Sequence, residues 1–216
     1  MEEQRVSAKS AVAIPSPFRT REEKAREREE KREAVLRAAV RMFNARGFHA
    51  TSLDDVAASL GISKPTIYHY LGNKEQVLIE CVTRGLEMLR AAADEARAGE
   101  GNGLARLGYF LRRYGAVIMD DFGACVVRTG DECLSAEGAI LFRSRKRDID
   151  LAMRGLIADA VADGSIAPVD VKLAAFTLAG ALNWAARWRD PAGAMSAEAI
   201  AMAQVDLLIA GLAPRG

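Results

Sequence analysis

The stretch TSLDDVAASLGISKPTIYHYLGNK, Thr51 to Lys74, decides the fold. In its first part Thr51 or Ser52 can cap a short helix. Asp54 and Asp55 sit in the first turn, where the helix dipole favours anions, and Val56, Ala57 and Leu60 supply an inner face. Gly61-Ile62-Ser63 is a tight turn, with Ser63 placed to cap a second helix and Pro65 acceptable in its first turn. Ile67 and Leu71, four residues apart, are the core anchors of that helix. Two short helices joined by a three-residue, glycine-containing turn form a helix-turn-helix unit, here spanning residues 52–71. In such a unit the start of the second helix offers side chains to base edges, and Lys64 and Thr66 are both able to read them.

Outward from this unit the pattern stays helical. Val35, Ala38, Ala39, Met42 and Phe43 fall at helical spacing from Ala34 onward and close at Gly47. Before them, REEKAREREEKRE pairs Glu22/Arg26, Arg26/Glu30 and Glu27/Lys31 at i, i+4, which reads as a solvated helical extension. The alternative is an arm that touches a DNA backbone or minor groove. Residues 1 to about 20, with Ser16 between Pro15 and Pro17, read as disordered.

Downstream, Asn73 and Gln76 stand in capping-box register for a long helix through Val77, Leu78, Cys81, Val82, Leu86 and Leu89 to about Arg97. AGEGNG, residues 98–103, is a linker: it follows a helix and not a strand, which argues against a phosphate cradle. Leu104 to Met119, Ser135 to Ala162, Asp170 to Arg189 and Ala197 to Ala210 are further helices, and no segment alternates as a strand would. The expectation is an all-α chain with three parts. These are a flexible arm (1–28), a three-helix helix-turn-helix DNA-binding domain (29–89), and a larger helical ligand-binding and dimerisation domain (90–216).

Composition excludes several classes. Half of the 216 residues are apolar and 27% are charged, with no apolar run long enough for a bilayer. The segment MEEQRVSAKS lacks the apolar centre of a signal peptide, so a cytoplasmic, nucleoid-associated protein with no membrane partner is expected. Cys81, Cys125 and Cys133 match no metal spacing, and buried or idle thiols are favoured over a redox pair of Cys125 and Cys133. Both histidines lie inside the DNA-binding unit, and no nucleophile–base pair is apparent. Neither an enzyme nor a metal or cofactor is expected. Residues 21–74 carry eleven Lys/Arg against eight Asp/Glu, whereas residues 75–216 carry sixteen against nineteen. The end that faces a polyanion is therefore the first third.

Ala38 to Leu78 resembles the N-terminal domain of the TetR family of bacterial transcriptional regulators. The matching pieces are Phe43-x-x-x-Gly47-Phe48, Thr51-Ser52, Ala57, Leu60-Gly61-Ile62-Ser63 and Tyr68-x-Tyr70-Leu71-x-Asn73-Lys74. The resemblance implies a homodimer whose first three helices dock on a palindromic double-stranded operator while the C-terminal domain takes a small effector. Carried onto this chain, it makes Thr51, Ser52, Lys64, Pro65, Thr66, Tyr68, His69, Tyr70 and Lys74 the DNA-binding residues. The Tyr-His-Tyr run and Lys74 would face phosphates.

Ala179 to Ser196, AGALNWAARWRDPAGAMS, is similar to members that control fatty-acid or steroid breakdown and bind acyl-CoA thioesters, with Trp184, Arg187, Trp188 and Pro191 as its anchors. That likeness implies an acyl-CoA or another lipophilic effector, lined by Phe110, Tyr114, Phe142, Trp184 and Trp188. The basic residue that some members carry earlier on the same helix has no counterpart in Phe176-Thr177-Leu178-Ala179-Gly180. FRSRKRD, Phe142 to Asp148, is a candidate source of that charge through Arg143, Arg145, Lys146 or Arg147, but four basic residues within five positions cannot all face one way on a helix, so a solvated basic surface is favoured. Small residues crowd the last two helices and suit a four-helix dimer bundle through Ala175, Leu178, Ala179, Leu182, Ala203 and Leu207. The readings that compete with an effector-released repressor are a DNA-binding protein without an effector and, behind it, an enzyme.

Overall fold

The computed structural model describes residues 20–190 and 192–212. The anchor Pro191 and arm residues 1–19 lie outside the described residues. The chain runs α1 (Arg21–Arg46), α2 (Leu53–Ser59), α3 (Lys64–Leu71), α4 (Lys74–Ala98), α5 (Gly103–Met119), α6 (Asp121–Arg128), a 3-10 turn (Asp131–Cys133), α7 (Ala136–Ala162), α8 (Val171–Trp188) and α9 (Ala197–Leu212). Among the described residues there is no strand, and none of their helices is long and apolar enough to cross a membrane.

The helix starts follow from side chains that satisfy otherwise orphaned backbone N–H groups. Thr20 with Glu23, Ser52 with Asp55 and Asn73 with Gln76 each form a reciprocal capping box. Ser135 and Asp170 accept from the backbone at the starts of α7 and α8. Ser63 departs from its expected role: it stands at the cap position of α3, but its hydroxyl pairs with that of Thr66 at 2.8 Å and makes no capping bond. Gly61 takes φ +65°, the left-handed value that the tight turn between α2 and α3 requires.

α1 is a single helix from Arg21, so the expected end of the arm at residue 28 falls inside it. The charged extension is helical, yet of its three anticipated pairs only Glu27–Lys31 forms among the described residues, at 2.7 Å. The first buried side chain of α1 is Val35.

α4 is the shared element. It packs on α1 and α3 as well as on α5, α6 and α7, and its first turns also meet the start of α7 through Glu75, which accepts from the Ser135 N–H. α6 went unread in the sequence, although Asp120 both ends α5 and caps α6 by accepting from Phe122 N–H. α6 lies so close to α5 that a Cβ at Gly123 would overlap the carbonyl oxygen of Val117. Polar contacts tie this region to α1: Arg41 to Asp121 at 2.8 Å, and the Asn44 amide to the Asp121 carbonyl at 2.8 Å. Further along α1, Arg32 meets Glu80 of α4 at 2.5 Å, and Arg84 bridges Glu80 and Glu33.

The proposed dimer residues need correction. Ala175, Leu178 and Leu182 are buried within this chain's own core, and Ala179 is half-buried against it, because small residues here let α8 approach α5 and α7. The outward stripe of α8 is instead Leu173, Phe176, Thr177, Gly180, Trp184 and Trp188, and that of α9 includes Met202, Ala203 and Leu207. Of the six residues named from sequence, Ala203 and Leu207 are exposed.

Candidate functional site

α3 is held by Ile67 and Leu71, both buried, and presents its other faces outward. Pro65, Tyr68 and His69 are exposed and Thr66 is half-exposed. The Tyr68 hydroxyl makes no hydrogen bond to another described residue and is available to a ligand. Tyr70 is half-buried and packs on the core while its ring edge meets His69. His69 Nε2 lies 3.4 Å from an Arg28 guanidinium nitrogen on α1.

Two of the expected cations are already engaged. Lys64 pairs with Asp54 of α2 at 2.5 Å, and this carboxylate raises the lysine's pKa. Lys74 Nζ sits 4.2 Å from the centre of the Phe48 ring, a cation–π contact that fixes it at the start of α4. Ser52 is exposed, with its hydroxyl occupied by the cap on α2.

Thr51 is a correction. It is 1% exposed, and its hydroxyl lies 2.9 Å from the Gly47 carbonyl and 3.3 Å from that of Met42. A buried hydroxyl must find internal partners, and here it ties the end of α1 to the start of α2. Its hydroxyl is therefore engaged inside the chain and is not presented at the surface.

The second feature is a cavity of about 370 Å³ among α4, α5, α6, α7 and α8. Leu86, Leu89, Ile118, Val126, Ile149, Met153 and Phe176 give it an apolar wall. Tyr114, Thr129, Lys146, Asp150 and Asn183 add polar groups. Tyr114 donates to Asn183 Oδ1 at 3.0 Å, and burial pushes its pKa up to about 12. Lys146 lies 4.1 Å from the centre of the Phe142 ring and 3.7 Å from Asp131.

Of the five anticipated lining residues, Tyr114 is in place. Phe110 and Phe142 are fully packed in the core and do not line this cavity. Trp184 and Trp188 are 62% and 50% exposed and point away from it, because the inward side of α8 at that level is occupied by Leu182, Asn183 and Ala186. Val126, Val127 and Thr129 were missed together with α6. Their signal was the Asp120-Asp121 pair at a helix start. Asn183 was overlooked beside the more conspicuous tryptophan. Lys146 belongs to FRSRKRD, whose Arg143 and Arg145 are spent on Asp131 and Glu87.

α6 joins these two features. Its Val126 and Val127 line the cavity, while the Arg128 guanidinium donates to the carbonyls of Asn44 in α1 and Ala186 in α8. One side chain, on the helix that lines the cavity, thus ties the end of α1 to the last turn of α8. The cysteines lie nearby as free thiols. Cys125 is buried, which raises its pKa to about 11, and Cys133 Sγ is 3.7 Å from His49 Nε2.

An exposed helix-turn-helix on an all-helical, cavity-bearing body defines the helix-turn-helix class of regulators. Residues 35–81 match the family described as bacterial regulatory proteins, tetR family, and residues 100–212 match the tetracyclin repressor-like C-terminal domain. The chain belongs to the TetR family. It is 27% identical over 187 residues to the HTH-type transcriptional repressor KstR2 of Mycolicibacterium smegmatis, covering 84% of this chain and 90% of that one. The TetR family transcriptional regulator PfmR from Thermus thermophilus superposes with a TM-score of 0.73 at 31% identity, over 83% of this chain and 99% of that one. AibR in complex with isovaleryl coenzyme A and operator DNA shares the fold with a TM-score of 0.72 at 23% identity, over 86% and 100% of the two chains.

Proposed function

We propose that this protein is an effector-released transcriptional repressor that binds a palindromic operator as a homodimer. The observation that carries the proposal is α6, which lines the cavity and also, through Arg128, grips the carbonyl end of α1. A ligand that prefers a displaced α6 also prefers a displaced DNA-binding unit. A hundredfold loss of operator affinity needs only about 2.7 kcal/mol of such preference.

The dimer forms through the apolar stripes of α8 and α9, since an exposed row with Leu207 76% accessible and two tryptophans marks a protein interface. A two-fold pairing sets the two α3 helices on successive major-groove faces, about 34 Å or a small multiple apart. Phe176 and Gly180 belong both to this stripe and to the cavity wall, so pairing also bears on access to the cavity.

The effector is lipophilic with a polar or anionic end, and an acyl-CoA thioester is the first class to test. The apolar wall suits an acyl chain, and Lys146 stands at its polar side. KstR2 is a repressor by name, and the AibR complex contains an acyl-CoA together with operator DNA. The experiment is a mobility shift on the DNA upstream of the gene, with and without a series of acyl-CoA esters, read beside thermal shifts. At a hundredfold excess over Kd a true effector stabilises the protein by about 2.7 kcal/mol. An operator complex that no ester or lipophilic compound releases supports the effector-independent reading instead.

A further inference from the structure

The first turns of α1, from Arg21 to Glu33, bury nothing, and their charges are sorted by face. At about 100° per residue, Arg21, Lys24, Arg28, Lys31 and Arg32 all fall within roughly 60° of the direction of Arg28. None of the glutamates at 22, 23, 27, 29, 30 and 33 falls there, and Arg26 is the one basic residue among them. A helix built only for solubility mixes the two signs on each face to gain i, i+4 pairs. Here the pairs within the segment lie at the seam between faces: Lys31 with Glu27, and Arg32 with Glu29.

Two contacts orient the basic stripe. Arg32 meets Glu80 on α4, and one turn earlier Arg28 meets His69 on the exposed side of α3. Arg21 and Lys24 continue the same stripe past α3, reaching about 10 Å beyond Arg28 at 1.5 Å per residue. Both are exposed, and neither forms an ion pair with another described residue.

We propose that the basic stripe of the α1 extension is a second contact to the DNA backbone, following phosphates outside the base pairs that α3 reaches. The inference rests on the reading of α3 as the DNA-facing helix. Continuity with His69 selects duplex DNA as the polyanion over an acidic protein partner. The contact adds affinity and register without reading bases.

The test is the salt dependence of binding of the full chain to the DNA upstream of its gene and to a scrambled duplex of equal length. Each phosphate contact contributes about 0.9 to the slope of log K against log salt. Arg21→Ala/Lys24→Ala is expected to shallow the slope by about 1.8 on both duplexes, and Arg21→Lys/Lys24→Arg to restore it. Arg26→Ala, which removes one charge on the opposite face, is the control and should leave the slope unchanged. Alanine is the best helix former, so the extension keeps its shape.

An unchanged slope in the double variant overturns the proposal, as does an equal change per charge removed in Arg26→Ala. If the wild-type chain binds neither duplex while folded, the reading of α3 itself fails. Binding that is lost on Tyr68→Ala yet indifferent to Arg21→Ala/Lys24→Ala leaves the α3 reading standing and removes the stripe alone.

Discussion

α3 and the cavity differ in how they are built, although both offer side chains to a ligand. The residues proposed to face DNA lie in one helix and its flanking turns, Ser63 to Lys74, whereas the cavity wall runs from Leu86 to Asn183 across five helices. A surface that meets a phosphate backbone needs exposed polar groups at fixed local spacing, and local spacing is visible in a sequence. A cavity is a distance between helices that no single segment encodes. Periodicity says that Phe110 and Phe142 face inward, but not whether they meet a neighbour or a void.

The largest expected effect tests that dependence on long-range packing. Gly123→Val places two methyl groups where even a Cβ overlaps the Val117 carbonyl oxygen, so the junction of α5 and α6 has to move. We expect a loss of about 3 kcal/mol or more in chemical denaturation. Exposed Tyr68→Ala, by contrast, should leave stability within about 0.5 kcal/mol while weakening DNA binding. Equal stabilities for the two variants would erase the distinction between a packed and a presented site.

The next effect is a pH dependence confined to the cavity wall. Buried Tyr114 keeps its proton in the folded chain up to a pKa of about 12, whereas in the unfolded chain it releases it near 10. Unfolding therefore sheds a proton between these values. The tyrosine's stabilisation is fully present below pH 10 and is lost as pH rises through 12, amounting to about 2–3 kcal/mol. Tyr114→Phe should abolish that part of the alkaline decline relative to wild type. At neutral pH it should cost about 1 kcal/mol for the lost bond to Asn183. Parallel alkaline denaturation curves would mean that solvent reaches the hydroxyl through the cavity.

Much of the molecule was legible in sequence. The helix-turn-helix, the three-residue turn, the caps at Ser52 and Asn73 and the bounds of α7 all follow from local chemistry. α6 escaped because eight residues carry barely two helical turns of pattern, and its Gly123 reads as a breaker when it is a contact point. The inward and outward sides of α8 were exchanged for a different reason. On a helix of mean apolar character with few charges, small and large residues occur on both faces, and only the packing against α5 and α7 decides which is buried. Tryptophan attracted the functional assignment through its size, while Asn183, one residue before Trp184, holds the place on the wall.

A smaller effect concerns the cations of α3. Lys64 was expected to be free for base edges, and Asp54 holds it at 2.5 Å. DNA must displace that carboxylate before Lys64 can contact it. Asp54→Asn should therefore raise operator affinity several-fold and steepen the salt slope by up to about 0.9, in fluorescence-anisotropy titrations. A fall in affinity would mean that Asp54 positions Lys64 for its contact and does not compete for it.

The smallest effect separates two serines that look alike in sequence. Ser52 and Ser63 both precede helices of the DNA-binding unit, and each reads as a cap. Ser52 makes both bonds of a capping box, and Ser52→Ala should cost about 1 kcal/mol. Ser63 makes no capping bond, and its hydroxyl meets that of Thr66 instead. Ser63→Ala should therefore change stability by less than about 0.5 kcal/mol, as a surface substitution does. Its effect belongs in DNA binding: the Thr66 hydroxyl loses this partner and becomes free to rotate over the bases. A full capping cost at Ser63 would show that the sequence reading of its role was right and that its pairing with Thr66 is secondary.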